Sequence, residues 1–68
     1  DLATHEGMEN FFAHLERRLF ESGFLDPENP RRLMERLRRL FLRSNLEQEE
    51  LNILRGILSA WDNPRPRK

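Results

Sequence analysis

From Met8 the apolar residues fall at Met8, Phe11, Phe12, Leu15 and Leu19, the i, i+3, i+4, i+7 spacing that lines one face of an α-helix. This predicts a first helix. Thr4 suits its N-cap, because its hydroxyl can accept from a free backbone N–H of the first turn, and Glu6 suits the positive end of the dipole. Gly23 reads as the residue that reaches φ > 0 and stops the helix, after which Phe24 and Leu25 are expected to fold back onto the core. Asp26, Pro27, Glu28, Asn29 and Pro30 form a connection with room for a short extra turn, since each proline pushes its predecessor out of the α region. Asn29 as N-cap and Pro30 at the first helical position start a second helix, with Leu33, Met34, Leu37, Leu40 and Phe41 on its inner face. Ser44, followed three residues later by Glu47, matches a capping box for a third helix. That helix carries Leu51, Ile53, Leu54, Ile57, Leu58 and Trp61 over an arc of roughly 160°, wide enough to pack against both others. Asp62, Asn63 and Pro64 end it. The expected fold is an all-α, compact three-helix bundle over residues 1–62, with a basic, mobile tail over 63–68.

Composition narrows the function classes. A chain of 68 residues buries only about 60% of the surface its unfolded form exposes, which excludes a barrel, a doubly wound sheet or a two-domain enzyme. Hydrophobic residues make up 37% and charged residues 35%, with no cysteine. There is therefore no disulfide framework, thiol nucleophile or cysteine zinc site. Leu, Arg and Glu favour helices, and the β-branched residues are Ile53, Ile57 and Thr4 alone. No run approaches the roughly 18 apolar residues of a membrane span, and no signal-peptide pattern is present. A cytoplasmic protein without a membrane partner is expected. A start at Asp1 rather than Met reads as a piece cut from something longer.

A net charge of zero conceals segregation along the chain. Residues 1–29 sum to −5, residues 30–46 to +5, residues 47–62 to −3 and residues 63–68 to +3. The positive segment holds Arg31, Arg32, Arg36, Arg38, Arg39 and Arg43 against Glu35 alone. On a helical wheel Arg32, Arg36, Arg39 and Arg43 fall within roughly 60°, nearly opposite Leu33, Leu37 and Phe41, with Arg31 and Arg38 flanking them. Two explanations stand. The stripe is a solvated face, neutralised by pairs such as Glu28 with Arg32 and Glu35 with Arg39, each contributing about 0–1 kcal/mol. Alternatively it meets a polyanion, since the guanidinium fork binds phosphate oxygens bidentately and stacks on bases.

Other features carry less. His5 and His14 do not share a face and lack a third ligand at a metal spacing, so no metal site is expected, and His14 reads as a surface residue beside Arg17 and Arg18. No Gly-rich phosphate loop, nucleophile elbow or Cys/His pair occurs, and the helix-surface glutamates have no pocket to tune them. Catalytic residues are not expected here. Trp61 lies on the apolar stripe and reads as core, with base stacking as the alternative. Phe20 and Leu42 are candidate exposed contacts. Gly56 interrupts a helix at a cost of about 1 kcal/mol relative to Ala, either because another backbone packs close to it or because a ligand or strand enters the gap.

The run Leu37-Arg38-Arg39-Leu40-Phe41 with Arg43, then Glu50-Leu51-Asn52-Ile53-Leu54-Arg55-Gly56-Ile57-Leu58, resembles the C-terminal region of bacterial TrmJ-type tRNA methyltransferases. Phe11-Phe12-Ala13-His14-Leu15-Glu16 and Gly23-Phe24 are similar too, so the likeness spans nearly the whole chain. These enzymes belong to the SpoU/TrmH group of the SPOUT superfamily. Their knotted catalytic domain binds S-adenosylmethionine and methylates a ribose 2′-hydroxyl in the tRNA anticodon loop. The resemblance implies an accessory, tRNA-binding helical domain without the catalytic SPOUT domain. S-adenosylmethionine and the homodimer are implied for the parent enzyme only, and no cofactor for this chain. Arg38, Arg39, Arg43, Asn52, Arg55 and Gly56 carry over by position. With the stripe, this gives Arg32, Arg36, Arg38, Arg39, Arg43 and Arg55 as candidate RNA-binding residues. The rival is a protein-interaction module for dimerisation or for docking onto the catalytic domain.

Overall fold

Helix starts and stops are set by local chemistry at each end. In the computed structural model, which describes residues 1–63, α1 runs His5–Glu21, α2 Pro30–Arg43 and α3 Gln48–Asp62. Thr4 Oγ1 accepts from Gly7 N–H at 3.0 Å, as the N-cap reading requires. Gly23 sits at φ +84° and donates to the Phe20 carbonyl at 3.2 Å, while Leu25 donates to the Leu19 carbonyl at 3.0 Å. The chain thus reverses tightly, and Leu25 is buried. Phe24 does not follow it: it is 70% exposed, because the reversal turns only one of two adjacent side chains inward.

The extra turn lies over Asp26–Asn29, where Asn29 N–H donates to the Asp26 carbonyl at 3.1 Å and Glu28 N–H to Asp26 Oδ1 at 2.9 Å. Asn29 is the N-cap of α2, although its side chain makes no capping hydrogen bond, and Pro30 opens the helix. The capping box starts elsewhere than expected. Ser44 ends α2, its hydroxyl donating to the Leu40 carbonyl at 2.9 Å. Asn45 turns the chain at φ +54°, a conformation that Asn tolerates. Glu47 is the true N-cap of α3, and its N–H donates to Glu50 Oε1 at 3.0 Å. The extended N-terminus is tied alongside: Ala3 N–H donates to the Leu46 carbonyl at 2.9 Å and Gln48 N–H to the Asp1 carbonyl at 2.8 Å.

α1 lies between the other two helices. One buried cluster joins Met8, Phe11 and Phe12 of α1 to Leu51 and Leu58 of α3, and Phe41 of α2 reaches it. Phe41 meets Phe11 edge-on, with ring centroids 5.1 Å apart at 85°. A second cluster joins Leu19 of α1, Leu25 of the connection and Met34 of α2, and Leu15 touches both. Gly7 permits the α1–α3 approach, since a Cβ there would stand 3.1 Å from Leu51 Cδ2. The resulting all-α bundle is flat, 36 × 35 × 16 Å. Flatness explains where the expected core fails. α3 packs along α1 rather than against both partners, so its wide apolar arc is half used, and Ile53, Ile57 and Trp61 are exposed. Leu40 is exposed for the same reason. Of the basic tail, Pro64, Arg65, Pro66, Arg67 and Lys68 lie outside the described residues.

Phe11, 1% exposed, touches both neighbours of α1. Phe11→Ala is expected to cost about 3–5 kcal/mol of a total near 3–10 kcal/mol for a chain of this size. Exposed Leu42→Ala should change stability by less than about 0.5 kcal/mol. Urea unfolding followed by circular dichroism checks both.

Candidate nucleic-acid interface

A helix that packs by Leu33, Met34 and Leu37 must turn positions 32, 36, 39 and 43 to water. Arg32, Arg36, Arg39 and Arg43 are all exposed, in one row whose ends are about 16 Å apart along the axis. Arg36, Arg39 and Arg43 border a shallow depression floored by Leu40. Among the described residues, no carboxylate stands within 4.0 Å of any of the four. Neither the Glu28–Arg32 nor the Glu35–Arg39 pair of the neutralised alternative forms. Neighbouring guanidiniums in the row repel one another by a few tenths of a kcal/mol per pair, without an acid to offset it.

Arg38 and Arg55 stand apart from the row. Arg38 Nη1 and Nη2 donate to the two carboxylate oxygens of Glu9, each at 2.7 Å, and its guanidinium lies 4.7 Å from the centroid of the Phe12 ring. This fork joins α2 to α1. The hydrogen bond from Arg38 holds the Glu9 carboxyl below its usual range, and the same bond raises Arg38. Arg55 is half-buried on α3, and its Nε has no hydrogen-bond partner.

A second polar cluster closes the far end of α1 against α3. His14 is buried rather than on the surface, with Nε2 2.6 Å from Asp62 Oδ2. Position 14 lies on the face of α1 turned to α3, a placement that residue type alone does not reveal. Arg17 Nη2 approaches the same oxygen at 3.3 Å. Arg18 Nε stands 3.1 Å from Asp62 Oδ1; the two are misaligned for a hydrogen bond, so the contact is one of charge. Arg18 also donates to Glu21 at 2.7 Å and lies 5.1 Å from the Trp61 ring centroid. Trp61 is therefore a half-open platform for Arg18 rather than core. The hydrogen bond with His14 holds the Asp62 carboxyl below its ordinary value, aided by the charges of Arg18 and Arg17 and opposed by burial. Among the described residues no three metal-ligating side chains come together, and no helix is long and apolar enough to cross a membrane.

Both depressed carboxyls fix a sign for acid stability. Their stabilisation is complete above the unfolded-state values near 4 and is lost as pH falls through the lower folded values. The thermal midpoint is expected to hold level from about pH 7 to 5 and to drop below about 4. Asp62→Asn should lower the level part by several degrees and make the acid drop shallower. Calorimetry across this range checks it.

With the geometry in place, comparison with known proteins is specific. The family model described as "tRNA methyltransferase TrmJ, C-terminal domain" matches residues 6–68. The chain is 58% identical over 59 residues to the tRNA (cytidine/uridine/adenosine-2'-O-)-methyltransferase TrmJ of Pseudomonas aeruginosa, covering 87% of this chain and 23% of that protein. It is 44% identical over 63 residues to the tRNA (cytidine/uridine-2'-O-)-methyltransferase TrmJ of Cronobacter sakazakii, covering 93% and 26%. Against the TrmJ of Photorhabdus laumondii the identity is 54% over 55 residues, covering 81% and 23%. The chain thus spans about a quarter of the length of these relatives. No solved structure matches it. Helical architecture, matched span and relatives agree, and the chain belongs to the family of TrmJ tRNA methyltransferase C-terminal domains.

Proposed function

We propose that this domain docks tRNA for an S-adenosylmethionine-dependent 2′-O-methyltransferase of which it forms an accessory part, and that the arginine row of α2 makes the contact. The observation that carries the reading is the row itself: Arg32, Arg36, Arg39 and Arg43 exposed on successive turns without carboxylate partners among the described residues. Such a row is costly when empty and favourable against phosphates, whose oxygens a guanidinium meets bidentately. The relatives' names supply the class of polyanion, tRNA. Arg38 serves this surface by fixing the angle of α2 through Glu9, and Arg55 contributes from α3 if the RNA extends that far.

Docking of this kind is electrostatic. Each phosphate neutralised releases counterions, and RNA in A form presents a deep, narrow major groove that side chains do not read, so shape governs more than base identity. The methyl donor and the catalytic groups belong to the three quarters of the enzyme outside this chain, the SPOUT catalytic domain, which also supplies the main homodimer contact. No chemical step runs through the residues described here; they bind and orient the substrate in the cytoplasm.

Four phosphate contacts give a log–log slope of affinity against salt near −3. In the full-length enzyme Arg36→Gln with Arg39→Gln should weaken tRNA binding and reduce the steepness of that slope by about 1.5, leaving S-adenosylmethionine affinity unchanged. Gel-shift titrations at two salt concentrations check it. Unaltered tRNA affinity, with the same variant instead releasing the domain from its catalytic neighbour, contradicts the reading.

A further inference from the structure

The arginine row of α2 has an apolar member at its side. Leu40 is 44% exposed and floors the depression that Arg36, Arg39 and Arg43 border. At about 100° per residue, Arg36 and Arg43 lie one turn before and one turn after Leu40 and within about 60° of it, and Arg39 adjoins it in sequence. Water favours neither part of this arrangement, since the leucine stays hydrated and the like charges repel. α3 offers a contrast. Ile53 and Ile57 are exposed as well, but no cation shares their arc of the helical wheel. Gly56 beside them has no atom within 4 Å of the Cβ it lacks, so no neighbour among the described residues packs close to it. Only the leucine of α2 is set among charges that select a partner.

Resting on the tRNA-docking reading above, we propose that Leu40 receives the face of an unpaired nucleobase, while Arg36, Arg39 and Arg43 hold the phosphates on either side of that nucleotide. Charge chooses this occupant. An apolar protein surface laid on Leu40 would bury three guanidiniums without partners, at a heavy desolvation cost. A nucleotide answers both halves of the site, with a planar ring whose faces are weakly polar and with phosphate oxygens that a guanidinium meets bidentately. The depression is shallow, so it takes one face of a planar group rather than enclosing it. Within a duplex both faces of every base are hidden by stacking. A stem can therefore offer phosphates to the arginines but leaves Leu40 wet. In a loop the base can be splayed out and laid on the leucine, with a neighbouring guanidinium stacked beside it. The two residue types thus read different things: the arginines recognise a polyanion, and Leu40 recognises that a base is unpaired. Leucine has no donor or acceptor for a base edge, so the preference is for a single strand whatever the base.

Fluorescence anisotropy of the 68-residue chain with two labelled RNAs tests this: an anticodon stem-loop, and a fully paired duplex carrying the same number of phosphates. The stem-loop is expected to bind about fivefold more tightly. Leu40→Ala, which keeps helix propensity, should bring the stem-loop down to the affinity of the duplex, with helicity retained by circular dichroism. Duplex affinity and the salt slopes should not move. Leu40→Phe should widen the preference, because an aromatic ring stacks on any base. Arg36→Gln with Arg39→Gln should instead weaken both RNAs and flatten both salt slopes. Equal affinity of the native chain for the two RNAs, or a preference that survives Leu40→Ala, overturns the inference, while weakening of both RNAs by the arginine variant leaves the docking reading standing. Binding of neither RNA overturns the docking reading and this inference together.

Discussion

One helix has to serve as the wall for two others. α1 spends one face on α3 through Met8, Phe11 and Phe12 and another on α2 through Leu15 and Leu19, and none of the described residues wraps the outside of the flanking helices. A flat layer follows. Its two outer surfaces are set by what each flanking helix does not need for α1: a guanidinium row on α2 and an isoleucine stripe on α3. Both surfaces are consequences of the same shortage of core, and their chemistry differs because the sequence beneath them does.

Within α2 the arginines divide by geometry rather than by residue type. Arg38 is close enough to the inner face to reach Glu9 and to lie on Phe12, so its charge is answered inside the domain. Arg32, Arg36, Arg39 and Arg43 project where neither α1 nor α3 can bring an acid. Of the acids available, Glu9 is taken by Arg38, and Asp62 holds the His14, Arg17 and Arg18 cluster at the far end. The row is left with unspent electrostatic potential, which falls in the segment that the chain's own charge pattern isolates.

Much of this was legible in the sequence, because its strongest signals are local. The 3.6-residue periodicity placed three helices, Thr4 and Gly23 bounded the first, Pro30 opened the second, and the wheel put four arginines on one exposed row. What depended on how helices meet was not legible. Periodicity marks Ile53, Ile57, Trp61 and Leu40 as apolar-face residues, but only the flat arrangement decides that they stay exposed. His14 and Asp62 are 48 residues apart, and nothing local announces their contact. Ser44 and Glu47 satisfy the spacing of a capping box as well as Glu47 and Glu50 do. The choice between them rests on Asn45, whose left-handed turn ends α2 before α3 can start.

The most direct test of the central claim, that the open arginine row of α2 is the RNA-facing surface, is residue-resolved. In an NMR titration of this domain with an anticodon stem-loop RNA, the guanidinium and amide signals of Arg32, Arg36, Arg39 and Arg43 are expected to shift together, while those of Ile53, Gly56 and Ile57 stay in place. Shifts confined to α3, or to the Arg18 and Trp61 end with the α2 row unmoved, would contradict the account.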